Sequence, residues 1–232
     1  MTRLDEAIRA SIQRHGPLPF DRVMDAALYD PDDGFYAAGG RAGRRGDFLT
    51  SPEVGPLFGA VVARAVDRWW GEAGRPEVFV VVEAGAGPGA LARAVLQAAP
   101  VCSPALRYVL VESSASQRAL HTEHLTLEDP VAAFAGLPDP DLEHGVPPPP
   151  GPIVVSLAEL PRLTAPCVVL ANELLDNLPF GVAVRAHGGW SELHVAAGEE
   201  DLVELLVPLD DPTARRLDEV APAAPEGARI PL

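Results

Sequence analysis

Apolar positions recur along the 232-residue chain in two different rhythms. Residues 3–14 alternate apolar and charged positions at helical spacing, and Pro56–Trp70 repeats the pattern with Leu57, Val61, Ala65 and Trp69 one turn apart, which predicts a helix buried along that stripe. The rhythm then changes to short unbroken apolar runs: Val78–Glu83 (VFVVVE), Leu106–Glu112 (LRYVLVE), Ile153–Leu157 and Cys167–Ala171 (CVVLA). Runs of that length, rich in β-branched residues, suit strands buried on both faces of a parallel sheet. Between the first two lie a glycine loop, GAGPGA, and LARAVLQAA, a good helix former at nearly every position. After the second, Ser113–Leu125 predicts another helix with Ser113 or Ser114 as its N-cap. Strands alternating with helices imply right-handed crossovers and an α/β fold.

Turn-forming residues divide these elements. Tyr29–Gly40 (YDPDDGFYAAGG) and the proline-rich 136–152 read as connections. After the fourth strand, VAVRAHGGWSELHV predicts a β-hairpin turned at Gly188-Gly189, followed by the strand-like DLVELLVPL and one helix near Arg215. Three segments result: a helical and loop cap over 1–75, an α/β core over 76–180, and a hairpin with C-terminal segment over 181–232.

Composition narrows the chemistry. All 18 basic residues are Arg. With no lysine amine, Schiff-base chemistry, a P-loop and a kinase lysine are excluded. A net charge of −15 disfavours nucleic acid; more than half of the arginines but only a third of the acids lie in the first 75 residues, around Arg41, Arg44 and Arg45. No apolar run approaches the roughly 20 residues of a membrane span, and the amphipathic, acid-bearing start is unlike a signal peptide. Cys102 and Cys167 lie far apart beside apolar stretches, as buried free thiols in a reducing compartment would. A soluble cytoplasmic protein is the expectation.

The loop Glu83-Ala84-Gly85-Ala86-Gly87-Pro88-Gly89 stands between a buried strand and a helix, the context a ligand-binding glycine loop requires. Its glycines let the backbone turn sharply and approach a nucleotide-like ligand. Glu83 stands where a carboxylate can meet a cationic amino group, and Glu112 ends the next strand, where a carboxylate can accept two ribose hydroxyls. The other reading of both is a strand-end acid in solvent. GAGPGA also satisfies a dinucleotide pattern, but Pro88 offers a pyrophosphate no N–H and Glu83 adds negative charge. A ligand with a sulfonium and an amino group tolerates both. His121 and His124 are three residues apart without a third ligand in view, so no metal site is expected. The absence of G-x-S-x-G argues against a hydrolase.

The order LYDPDDGFY, GRRGDFLTSPEVGPLFG, RWW, EAGAGPGAL, LRYVLVESSASQ and ANELLDNLPF resembles the MidA-like methyltransferases, which include the mitochondrial complex I assembly methyltransferase. The resemblance runs from about Met24 to Val195. It implies a Rossmann-like class I methyltransferase sheet with an N-terminal extension, S-adenosylmethionine as cofactor, and methylation of a protein arginine, in that family one of a respiratory complex I subunit. Carried over, Gly85, Gly87, Gly89 and Glu112, with Ser113 beside it, would hold the cofactor, and Asp47, Thr50 and Ser51 would belong to a loop covering it. Ser51-Pro52-Glu53 is equally a helix start with Pro at its first position. Ala90 stands where the family often has a bulkier residue.

Asn172, Glu173 and Asp176 follow the fourth strand at the carboxyl end of the sheet, where open α/β folds put their active sites. Carboxylates suit a guanidinium acceptor through paired hydrogen bonds; in a helical turn Glu173 and Asp176 would share a face. The alternative is an N-capping Asn and a solvated helix. Family members continue into further strands, one ending Asp-Tyr-Gly, that this sequence lacks. CVVLA is therefore expected at a sheet edge, covered by the hairpin, by DLVELLVPL, or by a second copy in a homodimer. A methyltransferase acting on a protein is the first reading. A relative that binds cofactor and a partner protein without turnover is the second, and a dinucleotide-dependent oxidoreductase the third.

Overall fold

The computed structural model describes residues 2–36, 56–134, 147–163 and 165–232. The chain separates into two compact units, one built from 1–38 and 176–232 and the other from 39–175. These units cut across the three sequence segments, since the N-terminal residues cluster with the C-terminal ones and the helix from Pro56 clusters with the sheet.

In the first unit, helix α1 (Arg3–His15) starts on Thr2, whose hydroxyl accepts from the Asp5 N–H, and leads through the short strand β1 (Leu18–Pro19) into α2 (Phe20–Tyr29). Among the described residues the second unit begins with α3 (Pro56–Glu72), followed by β2 (Phe79–Ala84), α4 (Ala90–Gln97) and β3 (Leu106–Val111). Two short helices, α5 (Ala115–Ala119) and α6 (His121–His124), replace the single helix expected over Ser113–Leu125. Then come α7 (Pro130–Phe134), β4 (Ile153–Leu157) and β5 (Cys167–Leu170).

The four strands of this unit among the described residues are parallel and ordered β4-β3-β2-β5. Successive strands run outward from β2 to β4, and the chain then returns to the other side of β2. Strand order therefore reverses between β2 and β5, which in open α/β sheets marks where ligands bind, at the carboxyl ends. Every residue of β2 and β3 is buried. Phe79 and Val81 pack with α3 and α4 on one face, while Val80 and Val82 pack with Ala133 and Val155 on the other. The unbroken apolar runs thus reflect a sheet with a core on each side.

The expected stripe on α3 is corrected. Gly59, Ala63 and Val66 are its buried residues, whereas Leu57 and Val61 are 77% and 57% exposed. A Cβ added to Gly59 would lie 2.3 Å from the Ala94 Cβ, so the smallest side chains, not the largest, face α4.

The first unit continues with β6 (Val182–Ala186), β7 (Gly189–Ala197), β8 (Leu202–Pro208), α8 (Asp211–Val220) and β9 (Arg229–Pro231). Its antiparallel sheet is centred on β7, which pairs with β8, β6 and β1, and β6 carries β9. The hairpin forms as expected, but Ala186 pairs with Gly189, so His187 and Gly188 make the turn. Both have positive φ (55° and 77°), as a two-residue type I′ turn requires. Neither hairpin nor β8 pairs with β5, whose sole partner among the described residues is β2.

Candidate functional site

The glycine loop leaves β2 at the strand reversal. Gly85, Gly87 and Gly89 all have positive φ (69°, 53° and 82°), a conformation that costs a side-chain-bearing residue free energy. At Gly85 a Cβ would also strike Leu174 Cδ1 at 2.7 Å, while in front of Gly87 nothing lies within 4 Å of one. The loop tip thus borders open space.

Its backbone donors are already engaged. The N–H groups of Gly85 and Ala86 both donate to the Val111 carbonyl, at 2.9 and 3.0 Å, Gly87 donates to Glu112 Oε2 at 2.9 Å, and Gly89 donates to the Ala86 carbonyl at 2.9 Å. Pro88 has none to give. Such a loop offers poor support to a pyrophosphate, which needs free N–H groups.

Glu112 closes β3, half-buried, with Oε2 on Gly87 N–H and Oε1 accepting from Ser114 N–H at 2.8 Å. Each oxygen keeps a further lone pair for a ligand hydroxyl. Ser113 beside it is exposed. Arg118 Nη1 donates to the carbonyls of Glu112 and Ser113, fixing the chain where it leaves the strand.

Glu83 is 4% exposed and turned into the core. Its Oε2 accepts from the Tyr108 hydroxyl at 2.6 Å, and its carboxyl also accepts from the Ala92 N–H in the first turn of α4. Burial pushes its pKa up to about 7, against these two hydrogen bonds, which lower it. Glu83 therefore caps the helix that follows the loop.

The structure adds His121, which sequence reasoning weighed only as a metal ligand. It is fully buried, with Nε2 2.7 Å from the Gly87 carbonyl and Nδ1 2.8 Å from Ser156 Oγ at the end of β4. Among the described residues no group of three metal-binding side chains occurs.

Past β5, Asn172 is half-buried and Glu173 exposed, in the same unit as the glycine loop. Glu173 has φ 52°, so the helical turn expected to align it with Asp176 does not include it. A single 3₁₀ turn, Leu175–Asn177, follows instead. Asp176 is exposed and opens the other unit, where Asn177 accepts from Tyr29 Oη through its carbonyl (2.7 Å) and from Tyr36 Oη through Oδ1 (2.9 Å). Asp47, Thr50 and Ser51 lie outside the described residues.

Residues 61–230 match the family described as "Putative S-adenosyl-L-methionine-dependent methyltransferase". The chain belongs to this family. It is 40% identical over 94 residues to the mitochondrial protein arginine methyltransferase NDUFAF7 homolog of Drosophila melanogaster, covering 40% of this chain and 22% of that protein. To human mitochondrial NDUFAF7 it is 29% identical over 192 residues, 79% of this chain and 43% of that one. A superfamily member from Burkholderia thailandensis, solved bound to S-adenosyl-homocysteine, superposes with a TM-score of 0.77 at 30% identity, covering 99% of this chain and 55% of that one. The chain thus spans about half the length of the relatives it matches, or less. The fold is that of a class I methyltransferase, as expected. The cytoplasmic expectation is corrected, because the NDUFAF7 relatives are mitochondrial proteins. It rested on the lack of a long apolar run and a signal peptide, and proteins of many compartments share that lack.

Proposed function

We propose that this chain binds S-adenosylmethionine at the carboxyl ends of β2 and β3 and serves the transfer of its methyl group to an arginine of a protein. The observation that carries the reading is the contact between Gly87 and Glu112: the loop tip facing open space holds, by its own N–H, the carboxylate that can accept ribose hydroxyls. The engaged loop amides and the α4 terminus capped by Glu83 favour this ligand over a dinucleotide. The relatives named as protein arginine methyltransferases and the neighbour bound to S-adenosyl-homocysteine support it.

When bound, the cofactor supplies a methyl group on a positively charged sulfur, open to in-line displacement. The protein's share is alignment and proton handling. Gly85, Gly87 and Gly89 allow close approach of the backbone, and Glu112 orients the ribose, with Ser113 beside it. Glu83, turned into the core and not toward the cofactor's amino group as its place at the strand end suggested, serves the site through the helix it caps. Asn172, Glu173 and Asp176 hold the guanidinium of the acceptor, for which a respiratory complex I subunit is our candidate, and a carboxylate takes the proton it loses. A second copy of the chain pairs along β5.

Titration calorimetry with S-adenosyl-homocysteine, against NAD as control, tests this. Wild type should bind the first and not the second. Glu112→Ala should weaken binding by about 1–3 kcal/mol through lost hydrogen bonds to a charged acceptor, and Gly87→Val should abolish it. Asp176→Asn should keep affinity within about threefold and lose methyl transfer. Unchanged affinity in Glu112→Ala overturns the ribose assignment.

A further inference from the structure

We propose that His121 is the positioning residue of the cofactor loop, locking the Gly87 peptide from below while Glu112 locks it from the side. This rests on the cofactor reading above. The Gly87 carbonyl can only accept, so His121 Nε2 carries the proton donated to it at 2.7 Å. In the neutral ring Nδ1 is then the acceptor, and the Ser156 hydroxyl donates to it at 2.8 Å. The ring is fully buried, so no water competes for either bond. Its Cδ2 also lies 3.3 Å from where a Gly89 Cβ would stand, so the imidazole supports the loop at two glycines.

The consequence is a chain of three hydrogen bonds that joins the ends of three strands. Ser156 on β4 orients His121, His121 holds the Gly87 carbonyl in the loop after β2, and the Gly87 N–H holds Glu112 at the end of β3. Gly87 sits at φ 53° with open space before it, so no packing from the ligand side keeps its peptide in place. Without His121 the peptide between Gly87 and Pro88 loses the bond that holds its carbonyl, and the Gly87 N–H, one of the two donors that aim Glu112, is less firmly placed. Preorganisation of this kind acts on ligand affinity more than on fold stability. The His121 side chain need not touch the ligand to do so.

The test is calorimetry of the full chain with S-adenosyl-homocysteine, with melting temperatures measured in parallel. His121→Ala should bind about tenfold more weakly. His121→Gln, whose amide can donate to the Gly87 carbonyl, should return to within about threefold of wild type, and Ser156→Ala should lie between the two. Val66→Ala, a cavity in the core of α3, should lower the melting temperature while leaving affinity within about twofold. Should His121→Ala fail to fold, His121→Gln and Ser156→Ala decide the matter on their own. If wild type and Glu112→Ala behave as expected but the His121 and Ser156 variants bind like wild type, the inference alone is overturned. If Val66→Ala loses affinity in step with its stability, as the His121 variants do, His121 is merely structural and the inference likewise fails. If wild type does not bind, the cofactor reading falls and this one with it.

Discussion

Burial pushes the Glu83 carboxyl up to about 7, and its partners Tyr108 and the Ala92 N–H do not fully offset this. The native state therefore holds a proton that the unfolded chain, with an ordinary carboxyl near 4.5, has released. Between about pH 4.5 and 7 the folded state binds more protons than the unfolded one, so the Glu83 contribution to stability falls as pH rises. Burial lowers the pKa of His121, and the sign there is opposite: its contribution is present above the ordinary histidine range and is lost as pH falls. A raw stability curve mixes the two, but a difference separates them. Glu83→Gln keeps an acceptor for Tyr108 and cannot ionise, so its melting temperature should gain on wild type steadily from pH 4.5 to 7 in parallel thermal scans. A constant gap would show that Glu83 does not titrate in that window. At this scale the sequence revealed the glycines and Glu112 through their place after buried strands. It could not reveal where Glu83 points or what His121 does, because Tyr108, Ser156 and Gly87 reach them from elements distant in sequence.

Helix α3 marks the limit of pattern reading at the scale of elements. A stripe of Leu57, Val61, Ala65 and Trp69 satisfies helical periodicity, yet α3 approaches α4 through Gly59 and Ala63. Spacing says which residues share a face, but close helix packing selects small side chains that a search for bulky apolar ones passes over. Gly59→Val should overpack this contact, where a Cβ would already lie 2.3 Å from that of Ala94, and destabilise by about 1–3 kcal/mol in denaturant unfolding. On the same helix Gly71 has nothing within 4 Å of an added Cβ, so Gly71→Ala should stabilise by up to about 1 kcal/mol. Equal effects of the two would place the helix contact elsewhere. The hairpin teaches a related lesson. Its existence was legible in alternating residues and glycines, but the turn sits one residue earlier than the glycine pair suggests, because His187 accepts a left-handed conformation.

The alternation of strands and helices made the parallel sheet legible, and the order β4-β3-β2-β5 leaves β5 paired on one side only among the described residues. Val169, in the middle of that strand, is 56% exposed. A groove of about 680 Å³ beside it, lined by Trp69, Phe79 and Val168 among others, lies at the amino ends of β2 and β5, away from the glycine loop. An unpaired edge with an apolar residue outward is a template for strand pairing, and a second copy offers the same edge about a two-fold axis. The net charge of −15 opposes such pairing. Salt screens that repulsion without weakening backbone hydrogen bonds or apolar contact, so self-association should strengthen as ionic strength rises. Light scattering at micromolar concentration should therefore show mass increasing with salt. Val169→Lys, which adds a solvated charge to the edge, should return the chain to monomer and leave S-adenosyl-homocysteine affinity within about twofold, since the glycine loop and Glu112 follow β2 and β3, not β5. A wild-type chain that stays monomeric across the salt range would show that the β5 edge is not used for self-pairing.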